Sequence, residues 1–303
     1  MSGDLAGSSP RPDPDFVVGA DPVSRSGDAG SPLSGSNLAL RVVSAAVLAP
    51  LALVSAYFGG WVFALFWAIA AIIVLWEWTT LVVGSQYRLM FSSCGGALAA
   101  SGFVAWLGRP IAAFLMLGLG ALSAAIFAPD ERRLWVTAGI GYAGTMLLAP
   151  MFLRADGDFG FAAIVLLFAV VWTTDILGYF AGRAFGGPKL LPAVSPKKTW
   201  SGAIAGSVGS VVAAFLVMNL FGSFNKPAIA VIALLLSAVA QLGDLLESWV
   251  KRRFGAKDAS HFIPGHGGVM DRLDGFWAAA LTACLIGLLR GGFTGPGRGL
   301  LLW

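Results

Sequence analysis

Residues 227–274 read PAIAVIALLLSAVAQLGDLLESWVKRRFGAKDASHFIPGHGGVMDRLD. The first half is an apolar run of the length that crosses a bilayer core, about 20 residues as a helix. The second half concentrates charge. From Asp244 to Asp274 there are five acids and five bases, so ten of the chain's 36 charged residues occupy 31 of its 303 positions. Both histidines, His261 and His266, lie here as well. The stretch reads as a membrane span running into a polar reaction site.

Working outward, the rest of the chain is oily. It is 57% hydrophobic and 12% charged, against roughly 25% charged in an ordinary soluble domain. Repeated apolar runs predict an all-α integral membrane protein, because a spanning segment must satisfy its own backbone hydrogen bonds. The alternating strands of a membrane barrel are absent. Cys94 and Cys284 lie far apart in apolar runs and read as buried small hydrophobes, without disulfide or zinc spacing. Residues 1–38 are rich in Ser, Gly, Pro and Asp and lack the apolar core of a signal peptide. They are expected to form a disordered cytoplasmic tail. The sequence pI of about 9.3 points to basic loops facing an anionic leaflet rather than to nucleic acid.

Nine spans are predicted, at residues 40–58, 61–84, 91–108, 110–128, 134–153, 160–185, 200–222, 227–250 and 274–290. With the N-terminus in the cytoplasm, 15 of the 20 Lys and Arg residues fall inside and 5 outside. That bias is what cytoplasmic loops carry. The two charge-rich loops, 186–199 and 251–273, then share the cytoplasmic face, where a site built from both would meet cytosolic nucleotides and the inner-leaflet surface. The expected organisation is the tail (1–38), N-terminal transmembrane helices (39–158) and a C-terminal transmembrane catalytic region (159–303).

Three groups of residues carry chemistry. Gln241, Asp244, Glu247 or Ser248, and Lys251 recur at steps of three and four, so they line one helix face, with Leu242, Leu245, Leu246 and Trp249 opposite. A carboxylate at membrane depth costs roughly 2.5–3.5 kcal/mol on insertion scales, so it faces a cavity or a partner. Next, Pro264-Gly265-His266-Gly267-Gly268 precedes a helix start bearing Asp271 and Asp274. Such a turn exposes N–H groups to phosphate oxygens, and carboxylates there suit Mg²⁺; helix capping by Asp is the alternative. The third group is Asp175, Gly178, Gly182 and Arg183, followed by Lys189 and Ser195-Pro196-Lys197-Lys198-Thr199-Trp200. The two glycines suit close helix packing, and the bases suit a phosphate clamp or a surface-binding loop. Glu77 is also intramembrane by this count and has no assigned role.

The run from Ser248 through Lys251-Arg252, Lys257-Asp258 and Pro264-Gly265-His266-Gly267-Gly268 to Asp271-Arg272-Leu273-Asp274 resembles the signature of the phosphatidate cytidylyltransferase (CDP-diacylglycerol synthase) family. The segments around Asp175, Arg183 and 195–200 are similar to the family's too. Residues 160–290 carry the resemblance; residues 40–159 agree only as generic spans. One departure is Ser201, where the family usually has Glu.

The resemblance implies an enzyme of phospholipid biosynthesis, a multi-pass protein of the inner membrane with its site facing the cytoplasm. It would transfer CMP from CTP to phosphatidate with Mg²⁺, alone or with a second cation, and release pyrophosphate. It implies Asp244 and Asp271 as metal ligands and catalytic residues, with Ser248 and Lys251 beside them. Substrate phosphates would fall to Asp175, Arg183, Lys197, Lys198, Arg252, Lys257, His266, Gly267, Gly268 and Arg272. It also implies a homodimer in contact with membrane lipids. A transporter would bury acids in helices but has no need of ten charges and two glycine-rich turns on one face. A CDP-alcohol phosphotransferase would show an Asp-Gly…Ala-Arg…Gly…Asp…Asp pattern, which is missing. A CTP-dependent polyprenol kinase would share the setting and release CDP.

Overall fold

The computed structural model describes residues 34–222, 224–260, 262–263 and 267–303. Its helices are α1 (Ser34–Phe58), α2 (Gly60–Val83), α3 (Arg88–Trp106), α4 (Pro110–Phe127), α5 (Arg133–Ala155), α6 (Gly160–Phe185), α7 (Trp200–Phe221), α8 (Lys226–Arg253), α9 (Met270–Gly291) and α10 (Pro296–Leu301). Among the described residues, α2 to α9 are long and apolar enough to cross a membrane, and they coincide with the second to ninth predicted spans. The apolar part of α1 is the shorter stretch Ala46–Phe58. The chain is therefore a helical, multi-pass membrane protein.

Two elements depart from a purely helical expectation. Strands β1 (Lys189–Leu191) and β2 (Ser195–Thr199) pair antiparallel, with Lys189 opposite Thr199 and Leu191 opposite Ser195. The predicted spans also run on at the charged end. Helix α8 continues to Arg253 and α9 begins at Met270, so Asp271 and Asp274 sit in the first turns of a helix. Extension of α8 has a physical cause: Lys251, Arg252 and Arg253 are helix formers whose positive charge suits a helix C-terminus.

Helices in lipid gain little from apolar burial against one another, so close packing decides their pairing. The α6–α7 seam is made by glycines. A Cβ on Gly202 would stand 2.5 Å from the Gly178 carbonyl oxygen, and one on Gly206 would stand 2.6 Å from that of Thr174. The expected role of Gly178 and Gly182 in close packing is what the seam displays. At the start of α7, Thr199 accepts the Gly202 N–H at 3.2 Å, the N-cap bond expected of a threonine.

Aromatic rings fasten α9 to α2, α5 and α6. Phe276 stacks on Trp67 of α2 and on Phe168 of α6, with centroids 4.9 and 5.1 Å apart. Trp277 stacks on Tyr142 of α5 at 4.3 Å, and Tyr142 on Trp78 of α2 at 5.2 Å. The indole N–H groups are used: Trp277 donates to Thr145 Oγ1 at 2.8 Å and Trp78 to the Trp135 carbonyl at 2.7 Å. The first turn of α9 is thus carried on a rigid aromatic base.

Candidate active site

The connections 186–199 and 254–269 join the C-terminal end of α6 to the N-terminal end of α7, and the C-terminal end of α8 to the N-terminal end of α9, at one end of the bundle. The β1–β2 hairpin lies among them. Between these ends is a pocket of about 720 Å³. Six bases line it: Arg183, Lys189, Lys197, Lys198, Lys251 and Arg272. Five acids line it as well: Asp175, Asp244, Asp258, Asp271 and Asp274. The two charged loops predicted to meet do meet.

On α8 the expected face is realised in part: Glu247 and Ser248 do not line the pocket, and Leu245, expected on the far side, is buried. Gln241, Asp244 and Lys251 line the pocket, and Ser248 donates to Asp244 Oδ1 at 3.4 Å. Leu242, Leu246 and Trp249 point outward, 62%, 44% and 44% exposed. Lys198 of the hairpin forms an ion pair with Asp244. Lys251 stands between Glu247 and Asp271 and pairs with both.

The carboxylates fall into two groups. Asp244, Glu247 and Asp274 each offer an oxygen within 4.8 Å of the others. Glu247 is 1% exposed. Its Oε2 lies 2.7 Å from Lys251 Nζ, yet among the described residues neither of its oxygens accepts an aligned hydrogen bond. Asp271 is not one of the trio, although it shares Lys251 with Glu247. Both its oxygens are engaged: Oδ1 by Lys251, and Oδ2 by the N–H groups of Ala259 at 3.0 Å and Gly268 at 2.8 Å. The sequence paired Asp244 with Asp271. The folded chain puts Asp244 with Glu247 and Asp274, and gives Asp271 the task of holding Lys251 and the preceding loop.

Other expected residues sort clearly. Asp175, Arg183, Lys197 and Arg272 reach the pocket, and Arg183 donates to Tyr179 at 3.1 Å. Arg252 is exposed and donates to the Ala256 carbonyl at 3.1 Å, while Lys257 is exposed; neither lines the pocket. Gly268 was expected to offer its N–H to phosphate, but Asp271 takes it. Gly267 has φ of 82°, and a Cβ there would stand 2.9 Å from Asp271 Oδ2, so the turn itself calls for glycine at this position. His261 and His266 lie outside the described residues. Ser201 donates to the Gly186 carbonyl and shares a 3.0 Å hydrogen bond with Thr199 Oγ1. It ties the end of α6 to the start of α7, a contact a short hydroxyl can make.

Below the pocket floor a hydroxyl network enters the helices. Thr174 donates to Ser237 at 2.8 Å, Ser207 and Ser237 share a 3.0 Å bond, and Gln241 Nε2 donates to Ser207 Oγ at 3.1 Å.

Sequence reasoning left Glu77 without a role. It is fully buried in α2 and accepts from Ser260 Oγ at 2.6 Å, Val269 N at 2.9 Å and Met270 N at 2.6 Å. The signal was present, since an intramembrane acid needs partners, but the partners are some 190 positions away.

Comparison with known proteins identifies the family. The sequence pattern of the Cytidylyltransferase family matches residues 39–289. A phosphatidate cytidylyltransferase of Brucella abortus biovar 1 (strain 9-941) is 44% identical over 257 residues, covering 84% of this chain and 94% of its own. One from Haemophilus influenzae (strain ATCC 51907 / DSM 11121 / KW20 / Rd) is 41% identical over 142 residues, 45% of this chain and 49% of its own. One from Rickettsia bellii (strain RML369-C) is 42% identical over 136 residues, 42% of this chain and 57% of its own.

Proposed function

The chain belongs to the cytidylyltransferase family, and from that premise we propose that the polar pocket is where CTP and phosphatidate react. The protein is a nucleotidyltransferase that moves CMP from CTP to phosphatidate, forming CDP-diacylglycerol and pyrophosphate. The observation that carries the assignment of the site is Asp244 and Asp274 in the wall of a pocket lined by six bases, with Glu247 buried beside them.

The electrostatics fit the reaction. A phosphate monoester has a second pKa near 6, so phosphatidate is mostly a dianion at neutral pH. Its oxygen is already a nucleophile and needs no general base. The obstacle is repulsion: two unit charges 4 Å apart at an effective dielectric of 20 interact by about 4 kcal/mol. Lys197 and Lys198 on the hairpin, Arg183 on α6 and Arg272 on α9 offset that repulsion from separate walls. A lipid phosphate oxygen attacks the α-phosphorus of CTP, the bond from that phosphorus to the bridging oxygen breaks, and the electron pair leaves with pyrophosphate. Fixed cations beside that oxygen stabilise the charge as it develops.

The all-oxygen donor set suits a hard divalent cation, and the buried, unaligned oxygens of Glu247 are what such an ion would satisfy. Asp244, Glu247 and Asp274 would hold Mg²⁺. When bound, Mg²⁺ supplies positive charge to the phosphate oxygens and the leaving group. Lys251, fixed by Glu247 and Asp271, keeps an ammonium at the same spot.

The wider reading follows the charge bias. Nine spans, a cytoplasmic tail and an inner-membrane location put the pocket on the cytoplasmic side, where CTP is. Residues 39–158 serve as scaffold and 159–303 as the catalytic region.

The test uses purified protein in detergent with CTP, phosphatidate and Mg²⁺. Label on the α-phosphate or the cytidine is expected in the lipid; label arriving only from the γ-phosphate would make the protein a kinase. For sidedness, Lys257→Cys in a chain lacking Cys94 and Cys284 should react only from the cytoplasm, and labelling from the other side overturns the topology.

A further inference from the structure

We propose that Glu77 is a positioning residue for the transfer reaction: from α2 it fixes the loop before α9 and, through that loop, the placement of Asp271 and Asp274. The inference rests on the pocket being the cytidylyltransferase site.

The geometry is specific. One carboxylate ties two parts of the loop together, Ser260 near its middle and Val269 and Met270 at its close. Asp271 holds the residues next to these, Ala259 and Gly268. Two carboxylates therefore clamp adjacent positions on the two sides of one loop, which the Ile263 N–H to Gly267 carbonyl bond at 2.8 Å closes from within. Asp271 acts from inside the pocket and Glu77 from behind it. The packing is tight enough to dictate sequence: a Cβ on Gly268 would lie 2.6 Å from Glu77 Oε1.

The electrostatics explain why the residue is an acid. Glu77 is 0% exposed, and none of the ion pairs among the described residues includes it. Its counter-charge is the N-terminus of α9, where unpaired N–H groups and the helix dipole favour an anion. A helix start of this kind usually attracts phosphate. Here a carboxylate of the chain itself fills it, so substrate phosphates are left to Arg183, Lys197 and Lys198, and the α9 start is spent on holding Asp271 and Asp274 still.

This predicts a particular kinetic signature. Glu77→Ala should lower kcat by ~10–100-fold, the usual cost of losing a partner that orients site residues. KM for CTP should stay within about threefold, because the cations on α6 and the hairpin are untouched. The substitution also leaves a small anion-shaped hole against free N–H groups, so added formate should recover part of the lost kcat, and should do nothing for the wild type. Ser260→Ala removes one donor of three and should cost less than Glu77→Ala; it also serves if Glu77→Ala fails to fold. The proposal is overturned if Glu77→Ala turns over at the wild-type rate. It is equally overturned if kcat falls without formate recovery while KM rises in step, or, where only Ser260→Ala folds, if that variant is fully active. A wild-type protein inactive on CTP and phosphatidate would instead strike the proposed function.

Discussion

Lys251 Nζ lies 2.7 Å from Glu247 Oε2, one helical turn earlier on α8. The same ammonium donates to Asp271 at the start of α9. Lys251 thereby joins the two helices that carry the acids of the pocket. Its side chain is 10% exposed, that of Glu247 0% and that of Asp271 6%, so the three charges depend on one another.

Removing Lys251 leaves two buried carboxylates facing each other. Lys251→Ala should abolish CTP incorporation and destabilise the protein by about 3–5 kcal/mol, the cost of orphaning a buried ion-pair partner. Thermal unfolding in detergent reads the second effect. Lys251→Arg should rescue little, since a planar guanidinium does not replace a point charge held between two acids.

The two candidate ligand sets give different cation responses. Mg²⁺ should raise the melting temperature of the wild type, because a ligand that binds only the folded state stabilises it. Asp244→Ala, Glu247→Gln and Asp274→Asn should lose both the shift and turnover. Asp271→Ala should lose turnover and keep the shift. The reverse pattern for Glu247 and Asp271 would return the metal to the Asp244–Asp271 pair.

The bases separate by position. Lys197→Ala and Lys198→Ala should each raise KM by ~10-fold, about the effect of losing one charge-assisted contact, with weaker dependence on salt. Arg252→Ala and Lys257→Ala should stay within about twofold, since both groups lie outside the pocket. A large loss at either would mean that the loop folds over the substrates.

The glycine seam should not accept a methyl group. Gly202→Ala puts a Cβ 2.5 Å from a backbone oxygen, and overpacking costs about 1–3 kcal/mol. Gly141→Ala, where nothing lies within 4 Å, should be harmless. Melting temperatures in one detergent compare the two.

Much of this was legible in the sequence because helices impose a fixed spacing. Asp244, Ser248 and Lys251 fall on one face by arithmetic, and the outward leucines follow. The hairpin was not legible: Ser195-Pro-Lys-Lys-Thr has no strand alternation, and its pairing depends on how α6 ends and α7 begins. Nor was the regrouping of the acids. Glu247 was on the visible face, one residue from Ser248, but only the approach of α9 brings Asp274 beside it and turns Asp271 towards Lys251. Glu77 showed itself as a charge in the wrong solvent; no local pattern names a partner 193 positions away.

The four helix ends that frame the pocket also fix the form of its rate law. One reactant comes from water in three dimensions and the other by lateral diffusion within a sheet. Turnover then follows the mole fraction of phosphatidate in the surface, not its amount per litre. Diluting the substrate lipid with inert lipid, at constant total quantity, slows the enzyme although nothing has been removed from the tube. A membrane rich in phosphatidate thus drives its own conversion, and flux falls as the surface is depleted.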